Sequence, residues 1–354
     1  MGSPSAARIP STDAPAEQSE ALLRRLANSP DPGVAYAAMT LGLGRPVDAP
    51  GVRSARAAIP ASARACALLS GRATDGTIPL GPYAKWQGAH WTLVQLAMLG
   101  YPPGDNALAP LRDQVMDWLS GRRHIGPPST VVFDDQPERV RRCASQEGNA
   151  LWATLRLGLE DERTTILVER LIGWQWPDGG WNCDRRRDAR RSSFQETAIP
   201  LRALWLYGIE HDHAGARGAA DRAAALLLER RLLWRRSDGV LIRPDWGGRT
   251  DLIHFPIQFY DLLYALQVMA ETGHLGDPRC ADALAMLGAK RLPDGGFPRE
   301  DRTATKRSRV ASRGTWADWG PAGARTSNPF VSAAALGVLR IAARAGDGGA
   351  GRAR

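Results

Sequence analysis

The sequence predicts an all-α protein built from about five helical hairpins that close into a ring, within one domain. Three observations carry this prediction. A turn motif repeats along the chain, most copies follow a segment of helical periodicity, and each copy is followed by a segment that is apolar nearly all round.

The clearest turn is Gln175-Trp-Pro-Asp-Gly-Gly-Trp181-Asn-Cys-Asp184, and a second copy is Arg291-Leu-Pro-Asp-Gly-Gly-Phe297. Ser237-Asp-Gly-Val240 and Thr74-Asp-Gly-Thr77 are shorter echoes. The aspartates Asp75, Asp178, Asp238 and Asp294 place the later units roughly 55–60 residues apart, and the doubled first gap leaves room for a degenerate unit near 121–128. Asp-Gly stops a helix because glycine takes up positive φ and the aspartate side chain bonds the backbone two residues on. Before the turns, residues 108–119, 162–174, 219–233 and 279–291 carry apolar side chains at three- and four-residue spacings. After them, a polar excursion leads to a second helix, beginning near Trp86, Gln146, Ser193, Ile257 and Asn328, and Ser193-x-x-Glu196 has the form of a capping box. A helix that is apolar all round is buried, so the second helices are expected to form an inner ring and the amphipathic ones an outer ring. Open helical repeats have periods nearer roughly 34–47 residues, so the longer period favours closure over an open stack. Strand signals are confined to 131–133 and 240–242.

The net charge is +9, and Lys85, Lys290 and Lys306 are the lysines, so the positive charge is almost wholly arginine. Guanidinium forks suit phosphate and carboxylate, which favours anionic ligands. Cys66, Cys143, Cys183 and Cys280 form no C-x-x-C pair, which argues against a disulfide scaffold or a structural zinc site and for reduced thiols in a cytoplasmic protein. No stretch reaches the roughly 18 apolar residues of a membrane span. Residues 1–18 and those after Ala345 read as a disordered leader and tail, which leaves 19–345 as the domain.

The 175–181 segment resembles the QW motif of squalene–hopene and oxidosqualene cyclases, whose Gln and Trp tie neighbouring outer helices together; the 291–297 copy has Arg291 in place of Gln. The same repeat relates those cyclases to protein prenyltransferase β-subunits. The resemblance spans about residues 20–345 and implies a single (α/α) toroid. It implies a terpene cyclase- or prenyltransferase-like enzyme (isomerase, lyase or transferase) acting on an isoprenoid or other apolar substrate with an anionic head group. The chain also departs from those families. Squalene cyclases resemble two such barrels and carry a protonating Asp-x-Asp-Asp motif, whereas Phe133-Asp134-Asp135-Gln136 lacks that spacing. The prenyltransferase zinc set, Asp-x-Cys with a distant His, is not matched by Cys183-Asp184 and His254. The resemblance therefore fixes no cofactor and leaves Mg²⁺ and Zn²⁺ open.

In a ring of hairpins all inner helices enter from the same end, so the excursions share one mouth with the inner-helix N-termini, whose free N–H groups favour anions. The excursions are arginine-rich, with Arg139, Arg141, Arg142, Arg185, Arg186, Arg187, Arg190, Arg191, Arg243 and Arg249. Of these, Arg142, Arg185, Arg186 and Arg243 are the candidates for holding a diphosphate or carboxylate. The inner helices begin with amides (Gln87, Gln146, Gln195, Gln258, Asn328), accompanied by Glu147, Asn149, Glu196, His90, Tyr260 and Asp261. Such groups cap helices and bond one another, or they face a ligand; Gln146, Glu196, Gln258, Tyr260, Trp86 and His90 are the candidate binding groups. An acid in an apolar cavity has its pKa raised and can donate a proton at neutral pH. Asp184, Glu147 and Asp261 are the candidate acids, with His254 or His90 as a base or orienting group. Cys183, Asp184 and His254 are a conceivable zinc set, although adjacent residues are awkward ligands for one ion. Trp86, Trp91, Trp152, Trp205 and Trp246 either line a pocket, where their π faces stabilise cations, or serve as packing.

Two other readings stay open: a non-catalytic toroid that binds or scaffolds, and an α/α-barrel lyase acting on an acidic saccharide. Arginines scattered over several excursions argue against nucleic acid. A peripheral membrane contact stays open, and the sequence implies no oligomeric state.

Overall fold

A computed structural model describes residues 14–126, 131–242, 249–256, 259–300, 305–311 and 314–350. In chain order the helices are α1 (Ala14–Ala27), α2 (Pro32–Ala37) continued by a π turn at Ala38–Gly42, α3 (Pro50–Ala58), α4 (Ala63–Leu69), α5 (Ala89–Leu99), α6 (Ala109–Ser120), α7 (Arg122–Ile125) and α8 (Ala144–Leu157). They continue with α9 (Glu162–Gly173), α10 (Phe194–Glu210), α11 (Ala214–Glu229), α12 (Leu262–Glu271), α13 (Ala281–Gly288) and α14 (Pro329–Ala350). Two short parallel strands, β1 (Thr305–Lys306) and β2 (Gly314–Thr315), pair beside the start of α5, where the Trp86 N–H donates to the Gly314 carbonyl. The architecture is mostly helical, and among the described residues no helix is long and apolar enough to cross a membrane.

Burial separates two kinds of helix. Ala89 to Ala97 of α5 are all buried, as are Phe194 and Glu196 to Leu201 of α10. In α9 burial is confined to the stripe Thr164, Leu167, Val168 and Leu171. This follows from apolarity on every side in the first kind and on one face in the second. The inner helices pack in sequence: α5 on α8, α8 on α10, α10 on α12, α12 on α14, and α14 on the π turn after α2. The amphipathic helices cover them: α4 and α6 on α5, α9 on α8, α11 on α10, and α13 on α12 and α14.

Each complete turn has the same internal construction. Asp178 accepts from the backbone N–H (2.9 Å) and hydroxyl (2.5 Å) of Ser192, just before α10, and the Trp181 N–H donates to Thr197 Oγ1 in that helix at 3.2 Å. In the second copy, Ser327 donates to Asp294 at 2.5 Å and the Phe297 N–H donates to Ser332 Oγ at 2.9 Å. The turn thus fixes where the next inner helix starts. Gln175 donates to the carbonyls of Gly179 and Ala219, both at 2.8 Å, and accepts from Arg222, so it ties the turn to α11. The Trp181 indole N–H caps the Leu171 carbonyl at the end of α9 at 2.8 Å. Arg291 replaces Gln in the last turn and donates to Ser19 Oγ of α1 at 2.7 Å.

The structure departs from expectation in several places. The inner segments are α2 with its π turn, α5, α8, α10, α12 and α14, which is one more than the five expected. The extra one lies before Asp75 and follows no Asp-Gly turn, so the motif count missed it. Ser193 does cap α10, but the carboxylate of Glu196 reaches Ser145 instead of its own N-cap backbone, so the capping box is half formed.

Gly179 has φ +94°, and a Cβ there would lie 2.6 Å from the Arg222 carbonyl; Gly295 has φ +81°, with Gln18 3.1 Å from its Cβ position. Gly179→Ala and Gly295→Ala are each expected to lower unfolding free energy by about 1–3 kcal/mol in urea titrations. Wild-type stability in Gly295→Ala would show that the last turn does not depend on its seat against α1.

Candidate functional site

The N-terminal end of α8 and the loop that leads to α10 meet the end of α6 and the short α7 around a cavity of about 290 Å³. Trp118, Arg123, His124, Arg141, Arg142, Cys143, Gln146, Cys183 and Arg185 line it. The Asp178–Ser192 link sets where α10 begins, and Cys143 is the N-cap of α8.

The arginines divide by what they already hold. Arg141 is buried, donates to Gln136 at 2.5 Å and to the Arg139 carbonyl at 2.9 Å, and stacks on Phe133. It is part of the wall. Arg142 donates to the carbonyls of His124 and Gly126, fixing α7, and makes no ion pair among the described residues. Arg123 and Arg185 are exposed and have no partner among the described residues. Arg123, Arg142 and Arg185 face the cavity with no ion pair among the described residues, although Arg142 feels the charge of Glu147 behind it, and the residues lining the cavity include no Asp or Glu.

Behind this positive wall stand acids. His124 Nε2 lies 3.0 Å from Glu147 Oε1, and Glu147 is completely buried. Its Oε1 is 3.8 Å from Arg170, and its Oε2 has no hydrogen-bond partner. Glu196 accepts from the Ser145 N–H at 2.7 Å and from the Ser145 hydroxyl at 3.0 Å, with Cys183 Sγ 3.7 Å from Oε1. Burial pushes the Glu196 carboxyl up to about 7, partly offset by the Ser145 bonds and reinforced by Glu147. The Cys183 thiol is pushed well up by its contact with Cys143, by burial and by Glu196. Cys143 Sγ, Cys183 Sγ and a Glu196 oxygen lie within 4.8 Å of one another. An aromatic wall adjoins them: Tyr83 stacks on Trp118 at 5.4 Å and tilts against His90 at 5.2 Å. His90 bonds the Gln146 carbonyl at 3.1 Å through Nε2, and burial pushes its imidazole down to about 4.

The structure brings Arg142, Arg185, Gln146, Glu147, Glu196 and His90 to this region, and the other described candidates are engaged with partners of their own. Asp184 is paired with Arg186 at 2.7 Å, and that bonding holds its carboxyl below the usual range. It therefore lacks the raised pKa expected of a buried acid, and Arg186 is already paired with it. Asp261 is the N-cap of α12, accepting from Tyr264 N–H at 2.8 Å, His254 N–H at 2.7 Å and His254 Nδ1 at 3.1 Å. Those bonds fix the loop to the helix. Tyr260 donates its hydroxyl to the Leu232 carbonyl at 2.7 Å, and Trp86 is buried edge-on to Trp91 at 4.4 Å. Cys183, Asp184 and His254 do not converge, since Asp184 holds Arg186 and His254 holds Asp261. Arg243, Gln258 and Trp246 lie outside the described residues. Gln87 and Asn328 tie neighbouring loops: Gln87 bonds the backbone of Arg309 and Ala311, and Asn328 that of Trp319 and Pro321.

Two other depressions bound the choice. A chamber of about 460 Å³ takes walls from every inner segment, among them Tyr36, Met98, Trp152, Trp205, Phe255 and Phe330. It is mostly apolar, and its Arg202 is committed to Glu271 at 2.6 Å and stacked on Trp152 at 4.0 Å. A larger groove of about 790 Å³ holds Arg190, Arg191, Arg230, Arg235 and Arg236 with Asp178 and Glu229. Arg236 pairs with Glu229 at 2.7 Å and Arg230 with Asp178 at 3.6 Å, so much of its charge is compensated. Neither holds a thiol or histidine.

Comparison of the chain with family models gives no match, and comparison with curated proteins gives none either.

Sequence reasoning missed His124, Cys143, Tyr83 and Trp118. His124 stands in the 121–128 stretch, where the repeat is degenerate, so the lost turn motif was the signal available. Cys143 and Cys183 meet only in three dimensions.

Glu196 and His90 pull stability in opposite directions with pH. A raised carboxyl contributes stability that is lost as pH rises from about 4.5 to 7, whereas a depressed imidazole contributes stability that is lost as pH falls from about 6.5 to 4. In chelator-treated protein, Glu196→Gln removes the first contribution. Its unfolding free energy relative to wild type is expected to rise by about 3 kcal/mol between pH 4.5 and 7, measured by denaturant titration. A pH-independent difference would contradict the burial argument.

Proposed function

We propose that the protein is a small-molecule enzyme of the α/α-toroid type, which holds an apolar substrate by its anionic head in the arginine-lined cavity and transfers a proton through His124. The observation that carries this is the set of arginines, Arg123, Arg142 and Arg185, that make no ion pair among the described residues and share a cavity with a histidine backed by a buried carboxylate. A cation cluster without acids on its wall suits a diphosphate or carboxylate and stabilises negative charge that builds on it during reaction. Glu147 orients the His124 ring at 3.0 Å, so His124 serves as the general acid or base.

Closure into a toroid is supported by α14 packing on the π turn after α2 and by Arg291 of the last turn bonding Ser19 of α1. The apolar body of the substrate is assigned to the chamber among the inner helices. Gln146 at the cavity and Trp152 at the chamber both belong to α8, six residues and about 9 Å apart along its axis, a span that an extended isoprenoid chain covers. A prenyl diphosphate is the simplest molecule with both parts, and cyclisation or prenyl transfer is the reaction class proposed.

Titration calorimetry with prenyl diphosphates of several chain lengths tests this. The double variant Arg123→Ala, Arg185→Ala removes no internal bond and is expected to weaken binding by about 10–100-fold. His124→Asn is expected to retain binding and lose about 10²–10⁴-fold in turnover. Binding indifferent to the arginine substitutions would overturn the assignment.

A further inference from the structure

We propose that Cys143, Cys183 and Glu196 form a binding site for one thiophilic divalent cation, Zn²⁺ by chemistry, with its fourth coordination position open to the arginine-lined cavity. Their donor atoms already lie within 4.8 Å of one another. Two sulfur donors on a tetrahedral Zn²⁺ stand about 3.8 Å apart, given Zn–S bonds of about 2.3 Å, so small side-chain rotations close the set. Two thiolates and one carboxylate are too soft for Mg²⁺ or Ca²⁺ and match zinc.

Charge gives a second, independent argument. Glu196 is buried, and its partners are Ser145 and Cys183, none of them a cation. A buried carboxylate beside two thiols, with no positive charge against it, is costly unless protonated or bound to a metal. A dication compensates it and converts both thiols to thiolates.

The surroundings are those of a supported site. Ser145 fixes both oxygens of Glu196 through its N–H and hydroxyl, the outer-shell bonding that orients metal-binding carboxylates. Cys143 sits at the start of α8, where the helix dipole favours a thiolate. Both cysteines line the cavity and are half-buried, so a cation and one exogenous ligand reach them. Binding is balanced as Zn²⁺ plus two thiols and one carboxylate giving the bound ion and two protons released.

The site adjoins the cavity of the proposed enzyme but does not rest on that reading: the test below uses no substrate, and anion binding is read separately on chelated protein. The full chain, reduced and chelated, is titrated with Co²⁺ and then with Zn²⁺. One equivalent per chain is expected, with thiolate-to-cobalt charge-transfer bands and tetrahedral d–d bands that Zn²⁺ displaces. Cys143→Ser and Cys183→Ser lose the charge-transfer bands or halve their intensity, Glu196→Gln weakens affinity by about 10–100-fold, and Cys66→Ser changes nothing. X-ray absorption on the zinc-loaded wild type, which needs no variant to fold, is expected to count two sulfur neighbours. A zinc shell without sulfur, no stoichiometric uptake, or a Cys143–Cys183 disulfide in protein isolated without reductant would each overturn the proposal.

Discussion

Glu196 bonds Ser145 through both carboxylate oxygens and joins the starts of two buried helices beside the arginine-lined cavity. It belongs to the first turn of α10, while Ser145 belongs to the first turn of α8, so the link sets the starts of these helices side by side. With them in place, Cys183 comes to Cys143, and Gln146 supports His90 from the next helix. The same carboxylate would ordinarily have closed a capping box on its own helix. Its diversion to a neighbour leaves α10 capped by Ser193 alone and places an acid where two thiols and the cavity wall converge. Buried polar groups that bond across elements specify one arrangement of those elements, and they are costly wherever a bond is missing, as at Glu147 Oε2.

The turns act one level below. Aspartate holds the residue before the inner helix, the aromatic N–H holds a hydroxyl within it, and Gln175 or Arg291 reaches the next outer helix. Each turn thereby fixes three elements with a few short bonds. Glycine is required at Gly179 and Gly295, where φ is positive and a Cβ would crowd the backbone of Arg222 and of Gln18. This economy explains how excursions of very different length leave the inner helices in register.

Much of the fold was legible in the sequence because these constraints are local. The Asp-Gly turns and the apolar runs of α5, α8, α10 and α12 follow from residues within one repeat, and the tie at Gln175 was implied by the QW-motif resemblance. The first inner segment was not legible: α2 and its π turn follow a Ser29-Pro-Asp-Pro stretch, not an Asp-Gly turn, and begin at an Asp31 cap. The site was legible by region and only partly by residue. Glu147, Gln146, Glu196 and Arg142 lie where helix starts were expected. Asp184 and Asp261 misled because an isolated acid near a helix start looks the same whether it faces a cavity, an arginine or its own backbone. Cys143 and Cys183 are 40 residues apart in the sequence and are brought together by contacts between their loops, the Arg141–Asn182 bridge and the Glu196–Ser145 link among them.

The central claim is that this cavity, with its arginines, histidine and thiols, is where a ligand sits. Alkylation rates of Cys143 and Cys183 in chelated protein, followed by mass spectrometry with and without a prenyl diphosphate, test it most directly. The account predicts that both cysteines are protected in proportion to ligand occupancy while exposed Cys66 reacts at an unchanged rate. Saturable binding that leaves the rates at Cys143 and Cys183 unaltered would place the ligand elsewhere and contradict it.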